Sequence, residues 1–131
     1  MALSSFLKMI APIFLVVGAL HLTLGVGAEV LLGARLTTEA LSDAVLDSQN
    51  RFYGVSFTLY GVLLYLCATD LPKYSTVLRC ILWVFFAAGL ARFVSLVTHG
   101  IPALPVMVLL VLELVLPVLL NLWLSRTLRA G

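Results

Sequence analysis

The sequence predicts an all-α integral membrane protein: an antiparallel four-helix bundle with the N- and C-termini cytoplasmic. Three observations lead there. Of 131 residues, 63% are hydrophobic and 11% are charged, whereas an ordinary soluble domain is about half apolar and about a quarter charged. The mean hydropathy is +1.17, so there is too little polar surface to cover a globule in water. The apolar residues also fall into four long runs divided by turn chemistry. A spanning helix takes roughly 20 residues, so the chain is read as one transmembrane domain of four spans with short connections.

The first run extends from Phe6 to Ala28. Lys8 ahead of an apolar stretch ending in Val26-Gly27-Ala28 also has the form of a signal peptide with its cleavage site; we read it as a retained first span. An amphipathic outer segment follows, about residues 37 to 50, with Leu41, Val45 and Leu46 on one side. It either lies at the interface or extends the second helix outward. The second run, Phe52 to Ala68, is the shortest. Asp70-Leu71-Pro72-Lys73 then reads as a turn, because proline cannot propagate a helix. The third run covers Thr76 to Thr98, and His99-Gly100-Ile101-Pro102 closes it as a second tight hairpin. The fourth, Ala103 to Ser125, carries Pro117 within it, where a kink or a widened cavity beside Glu113 is expected.

Charge sets the topology. Lys8, Lys73, Arg79, Arg126 and Arg129 lie on one side with a single acid, Asp70, while Arg35 and Arg51 lie on the other with Glu29, Glu39, Asp43 and Asp47. Basic loops stay cytoplasmic, so both termini are expected inside. The scattered Lys and Arg provide no face for a nucleic acid. Cys67 and Cys80 have neither CxxC spacing nor an oxidising compartment, so neither a disulfide nor a zinc site is expected.

Ionisable residues inside a span are costly and usually face a partner. The candidates are His21 in the first helix, Asn50 and Arg51 at the head of the second, Arg92 in the third and Glu113 in the fourth. At 1.5 Å per residue, His21, Arg92 and Glu113 lie about 10, 9 and 15 Å from the outer ends of their spans. All are therefore expected in the outer half of the membrane or at its floor. Gly18, His21, Gly25 and Ala28 share one face of the first helix. Gly54, Thr58, Gly61 and Tyr65 share one of the second, and Gly89, Arg92, Ser95 and His99 one of the third. Small residues on such faces let membrane helices approach closely. Arg92 and Glu113 are paired across a tight hairpin, either as an ion pair that holds register or as an anion-binding arginine beside a proton-exchanging carboxylate. Asn121 reads as a helix–helix hydrogen bond, and Trp123 as an interfacial anchor beside Arg126. No phosphate loop, dinucleotide fingerprint, nucleophile elbow or metal-ligand spacing is present. No catalytic residue, cofactor or metal is therefore expected.

The run Asp47-Ser48-Gln49-Asn50-Arg51-Phe52-Tyr53-Gly54, then Gly89-Leu90-Ala91-Arg92-Phe93-Val94-Ser95, a Gly-x-Pro turn and a glutamate in the fourth helix resemble a bacterial family of small four-helix membrane proteins catalogued as a domain of unknown function. The resemblance implies that Asn50, Arg51, Tyr53, Gly54, Gly89, Arg92, Ser95 and Glu113 are its characteristic positions. It implies no reaction. The favoured function is binding, in an outer-leaflet polar cavity, of a lipid-like or amphipathic small molecule, or service as an accessory subunit docked on a membrane complex. Arg92, Glu113, His21, Asn50, Arg51, Tyr53 and Ser95 would form the site or its polar network. The alternative is a proton-coupled small-solute transporter acting as a homo-oligomer.

Overall fold

The structure, a computed structural model, describes residues 1–130. Among them every regular element is helical: α1 (Leu3–Leu24), α2 (Gly27–Leu31), α3 (Thr38–Ser42), α4 (Ala44–Thr69), α5 (Ser75–His99) and α6 (Leu104–Ala130). The four long helices hold 22, 26, 25 and 27 residues. At 1.5 Å per residue each is about 33–40 Å long, enough for a hydrocarbon core of about 30 Å. Val16, Val62, Val94 and Leu119, one from each long helix, leave more than half of their surface uncovered by the chain. Apolar surface on this scale fits lipid, not water.

The chain divides into two compact units. One is Ser5–Tyr65, and the other takes in the chain from Leu66 onward together with Met1–Ser4.

In the first unit α1 and α4 run antiparallel, and small residues decide how closely they pack. A methyl group added at Gly54 would stand 2.8 Å from both the Gly18 carbonyl oxygen and the Leu22 amide nitrogen, and one at Gly61 would stand 2.9 Å from the Ala11 carbonyl. Only glycine fits where two backbones touch. The glycines at 18, 54 and 61 expected on facing stripes are thus the contact itself. Gly25, placed on the same stripe by spacing, has another role. Its φ is +55°, a left-handed conformation that ends α1 at Leu24, short of the expected Ala28. The chain then restarts as the single turn and a half of α2.

Beyond α2, Thr37 caps α3, its hydroxyl accepting from the Ala40 amide at 3.3 Å. Asp43 caps α4, one carboxylate oxygen accepting from the amides of Val45 and Leu46 at 2.8 and 2.9 Å. The second long helix therefore begins eight residues earlier than the apolar run alone indicates, and the amphipathic segment is split between a short helix and this extension. Glu39, in the first turn of α3, has its carboxyl held below the usual range, first by a hydrogen bond from its own backbone amide and then by one from Thr37. A lowered pKa contributes stability above the unfolded value that is lost as pH falls through the folded one. Amide protection at Ala40 is expected to fall on acidification through the carboxylate range in the native protein and to be insensitive to pH there in Glu39→Gln, by hydrogen exchange corrected for intrinsic rates.

In the second unit α5 and α6 form an antiparallel hairpin. Asp70 accepts the Lys73 amide at 3.1 Å and the Ser75 hydroxyl donates to Pro72 at 3.0 Å, fixing the turn that leads into α5. Gly100, with φ +91° and its amide donating to the Leu96 carbonyl, ends α5. A methyl group at Gly89 would stand 2.9 Å from a Leu114 side-chain carbon and 3.0 Å from Glu113 Cβ. The absence of a side chain there lets α6 approach one turn ahead of Arg92.

Candidate functional site

The polar residues singled out in the sequence fall into two groups, one in each unit. In the first unit they gather where α1 breaks. A helix leaves its last four carbonyls without intrahelical partners, and one of them, on Leu22, accepts from Arg51 Nη1 at 2.6 Å. Arg51 Nε in turn donates to Asp47 Oδ2 at 2.7 Å, one helical turn back on α4. The other oxygen of Asp47 accepts the Val26 amide, at the start of α2, at 3.4 Å. One acid–base pair thus holds both sides of the Gly25 break. Arg51, expected at the helix head, lies two turns inside α4 and is a clasp for α1. Asp47 was counted in the sequence toward topology and as the start of the family-like run; its i,i+4 spacing to Arg51 is a signal that could have paired the two, whereas its role at the break appears once the orphaned backbone groups are known.

Gly25 is fitted to this clasp as well as to its backbone angle, because a methyl group there would collide with the Asp47 carboxylate. Gly25→Ala is therefore expected to destabilise by about 1–2 kcal/mol from the left-handed backbone alone, with more from the displaced carboxylate. Gly27→Ala, where the nearest atom is 3.8 Å away, should be close to neutral. Thermal unfolding of the two variants in mild detergent checks the contrast.

His21 lies in the last turn of α1 and is buried. Its Nδ1 stands 2.9 Å from the Val17 carbonyl, an atom that can only accept, so Nδ1 carries a proton. Nε2 faces Glu29 Oε1 at 3.8 Å, beyond hydrogen-bond length. Phe57 packs against the ring at a centroid distance of 5.2 Å. Asn50, also buried, donates from Nδ2 to the Leu46 carbonyl at 3.1 Å, and its Oδ1 has no partner. Tyr53 does not join these groups: it is exposed on α4, with its ring against Phe52 at 6.4 Å.

In the second unit Arg92 of α5 and Glu113 of α6 meet, as the hairpin arithmetic predicts. Arg92 Nε donates to Glu113 Oε2 at 2.7 Å. The two ends of the pair differ. The Glu113 side chain is 4% exposed and that of Arg92 is 31% exposed. Only Nε is engaged, so both terminal nitrogens of the guanidinium are unused by the protein. Arg92 also lines a groove of about 310 Å³, together with Ser95, Pro102, Val106 and Leu110 among others. Ser95 is exposed in this groove. An arginine fork with a nearby hydroxyl and apolar walls is suited to an anionic head with an apolar tail.

A second polar chain along α5 and α6 was missed in the sequence. Arg79 Nη2 donates to the Ser125 hydroxyl at 3.0 Å, Ser125 donates to the Asn121 carbonyl at 2.9 Å, and Asn121 Nδ2 donates to the Pro117 carbonyl at 3.1 Å. Asn121 is thus bonded within its own helix, contrary to the interhelical bond expected of it, and its Oδ1 has no partner. Helix α6 runs through Pro117 without interruption.

Four helices long and apolar enough to cross a bilayer, with charged side chains paired within them, define a small multi-pass helical membrane protein. The chain belongs to the family described as a domain of unknown function (DUF4345), whose model matches residues 2–124. No curated protein and no solved structure matches it.

Proposed function

We propose that the protein binds the anionic head of an amphipathic molecule in the α5–α6 groove, with both of its termini on the cytoplasmic side of a bacterial inner membrane. One observation carries this reading. Arg92 engages its buried counter-ion through Nε alone, leaving two terminal nitrogens without a hydrogen bond, and the same residue lines a groove that is otherwise mostly apolar. An arginine needed only to neutralise Glu113 would gain more from a two-bond, fork-to-fork contact. Ser95 adds a hydroxyl on the same face of α5, three residues on. Pro102, Val106 and Leu110 supply walls for the first carbons of a chain. The orientation rests on the excess of Lys and Arg on the side of the two termini.

The test is equilibrium binding of n-decyl sulfate to the protein in zwitterionic lipid nanodiscs, with empty discs as reference. Arg92→Gln keeps a hydrogen-bond donor for Glu113 but removes the charge. A charge-assisted hydrogen bond contributes about 1.5–3 kcal/mol, so the variant should bind at least about tenfold more weakly. Equal binding by the native protein and the variant, or no binding by either beyond that of empty discs, would sink the proposal. Capture of a membrane-protein partner that survives Arg92→Gln would favour an accessory subunit instead.

A further inference from the structure

We infer that the groove takes up its anion together with a proton, and that Glu113 is the group that receives the proton. The inference rests on the binding reading above and adds its coupling. As the protein stands, one cation and one carboxylate meet at 2.7 Å, and the site is neutral. Among the described residues, Arg92 is the one charged group within ion-pairing distance of Glu113. On α6 itself the residues within a turn of Glu113 on either side are Leu109, Leu110, Val111, Leu112, Leu114, Val115, Leu116 and Pro117, none of which titrates. On α5 the facing positions are Arg92 and, one turn away, Gly89.

An anion placed on the free nitrogens of Arg92 gives that single cation two negative partners. The site then carries a net charge of minus one, next to a carboxylate that is almost fully removed from solvent. An unpaired charge in such surroundings is costly and is normally relieved by neutralisation. Arginine cannot adjust, since it remains protonated. Glu113 can. It accepts one proton from solvent on a carboxylate oxygen, while Arg92 keeps its charge and its Nε hydrogen bond, now donated to a neutral carboxylic acid. Arginine, bound anion and protonated Glu113 together are neutral again. The partly exposed arginine is the entry for the anion, and the buried carboxyl is where the accompanying proton is stored.

The probe must not titrate itself, so n-decyl sulfate serves again, its head being ionised throughout the working range. Calorimetric titration of the nanodisc-embedded protein in two buffers of different ionisation enthalpy counts the protons. The native protein is expected to take up about one proton per sulfate bound, and in the linked range its affinity should fall by about a factor of ten for each rise of one pH unit. Glu113→Gln, already neutral, should bind with no proton uptake and no such slope. Binding by the native protein without proton uptake overturns the coupling and leaves the binding reading intact. Undiminished uptake in Glu113→Gln also overturns it, since the proton then goes elsewhere. Absence of binding by the native protein overturns the binding reading and the coupling together. Should Glu113→Gln fail to fold, the proton count and pH slope of the native protein decide alone.

Discussion

Arg92→Ala is expected to be among the most destabilising single changes in the protein, at about 3–5 kcal/mol, because it strands a buried carboxylate without its partner. The asymmetry of the pair makes a sharper expectation possible. Glu113→Leu leaves an arginine that is about a third exposed and can turn its head toward the groove, so it should cost less. The double variant should be more stable than Arg92→Ala alone, since no orphaned carboxylate remains and leucine fills much of its space. Unfolding in mixed micelles, arranged as a double-mutant cycle, reads this directly. Coupled residues in contact show interaction energies of about 0.5–3 kcal/mol. Costs that simply add would mean that the two groups do not act as a pair.

The second large effect is expected at the α1–α4 crossing. Gly54→Ala puts a methyl group 2.8 Å from two backbone atoms of α1, the Gly18 carbonyl oxygen and the Leu22 amide nitrogen. Backbone cannot swing aside as a side chain does, so the helices must separate, at about 1–3 kcal/mol for overpacking of this kind. Gly18→Ala meets the Gly54 carbonyl oxygen at 2.8 Å and the Thr58 hydroxyl closer still. Once the helices have moved apart for one methyl group, the second finds room. The double variant should therefore cost clearly less than the sum of the singles. Strict additivity in the same unfolding assay would show that the two glycines are not facing each other.

Much of this was legible in the sequence, and what escaped did so for physical reasons. The spans were legible because a bilayer demands long apolar runs. The Arg92–Glu113 pair was legible because the turn at 99–102 joins two antiparallel helices tightly, which leaves the two residues only about 6 Å apart in depth, a gap that an arginine side chain can cross. The same arithmetic pairs Arg79 with Ser125. It was not drawn because serine carries no charge to attract notice inside a span. Gly25 was misassigned because periodicity cannot distinguish a glycine that lets helices touch from one that ends a helix; both sit at the same spacing, and only the backbone angle separates them. Arg51 was singled out as a polar group at the head of the second span and Asp47 only as an outer-face charge, and their shared role as a clasp was missed because the groups they bind, the Leu22 carbonyl and the Val26 amide, are invisible in a list of side chains. Tyr53 entered through the family resemblance alone, and its exposed position on α4 brings it to none of the polar groups described.

The clasp at the Gly25 break bears on how the chain is made. The carbonyl of Leu22 and the amide of Val26 are met by residues that follow them by 29 and 21 positions. When the first span leaves the ribosome, its far end has open hydrogen-bonding groups that only the next span can close. In hydrocarbon such groups are costly, so they must stay in water or headgroups until α4 arrives. The first two spans are thus expected to settle into the bilayer as a hairpin, with the first incomplete until the second has been synthesised.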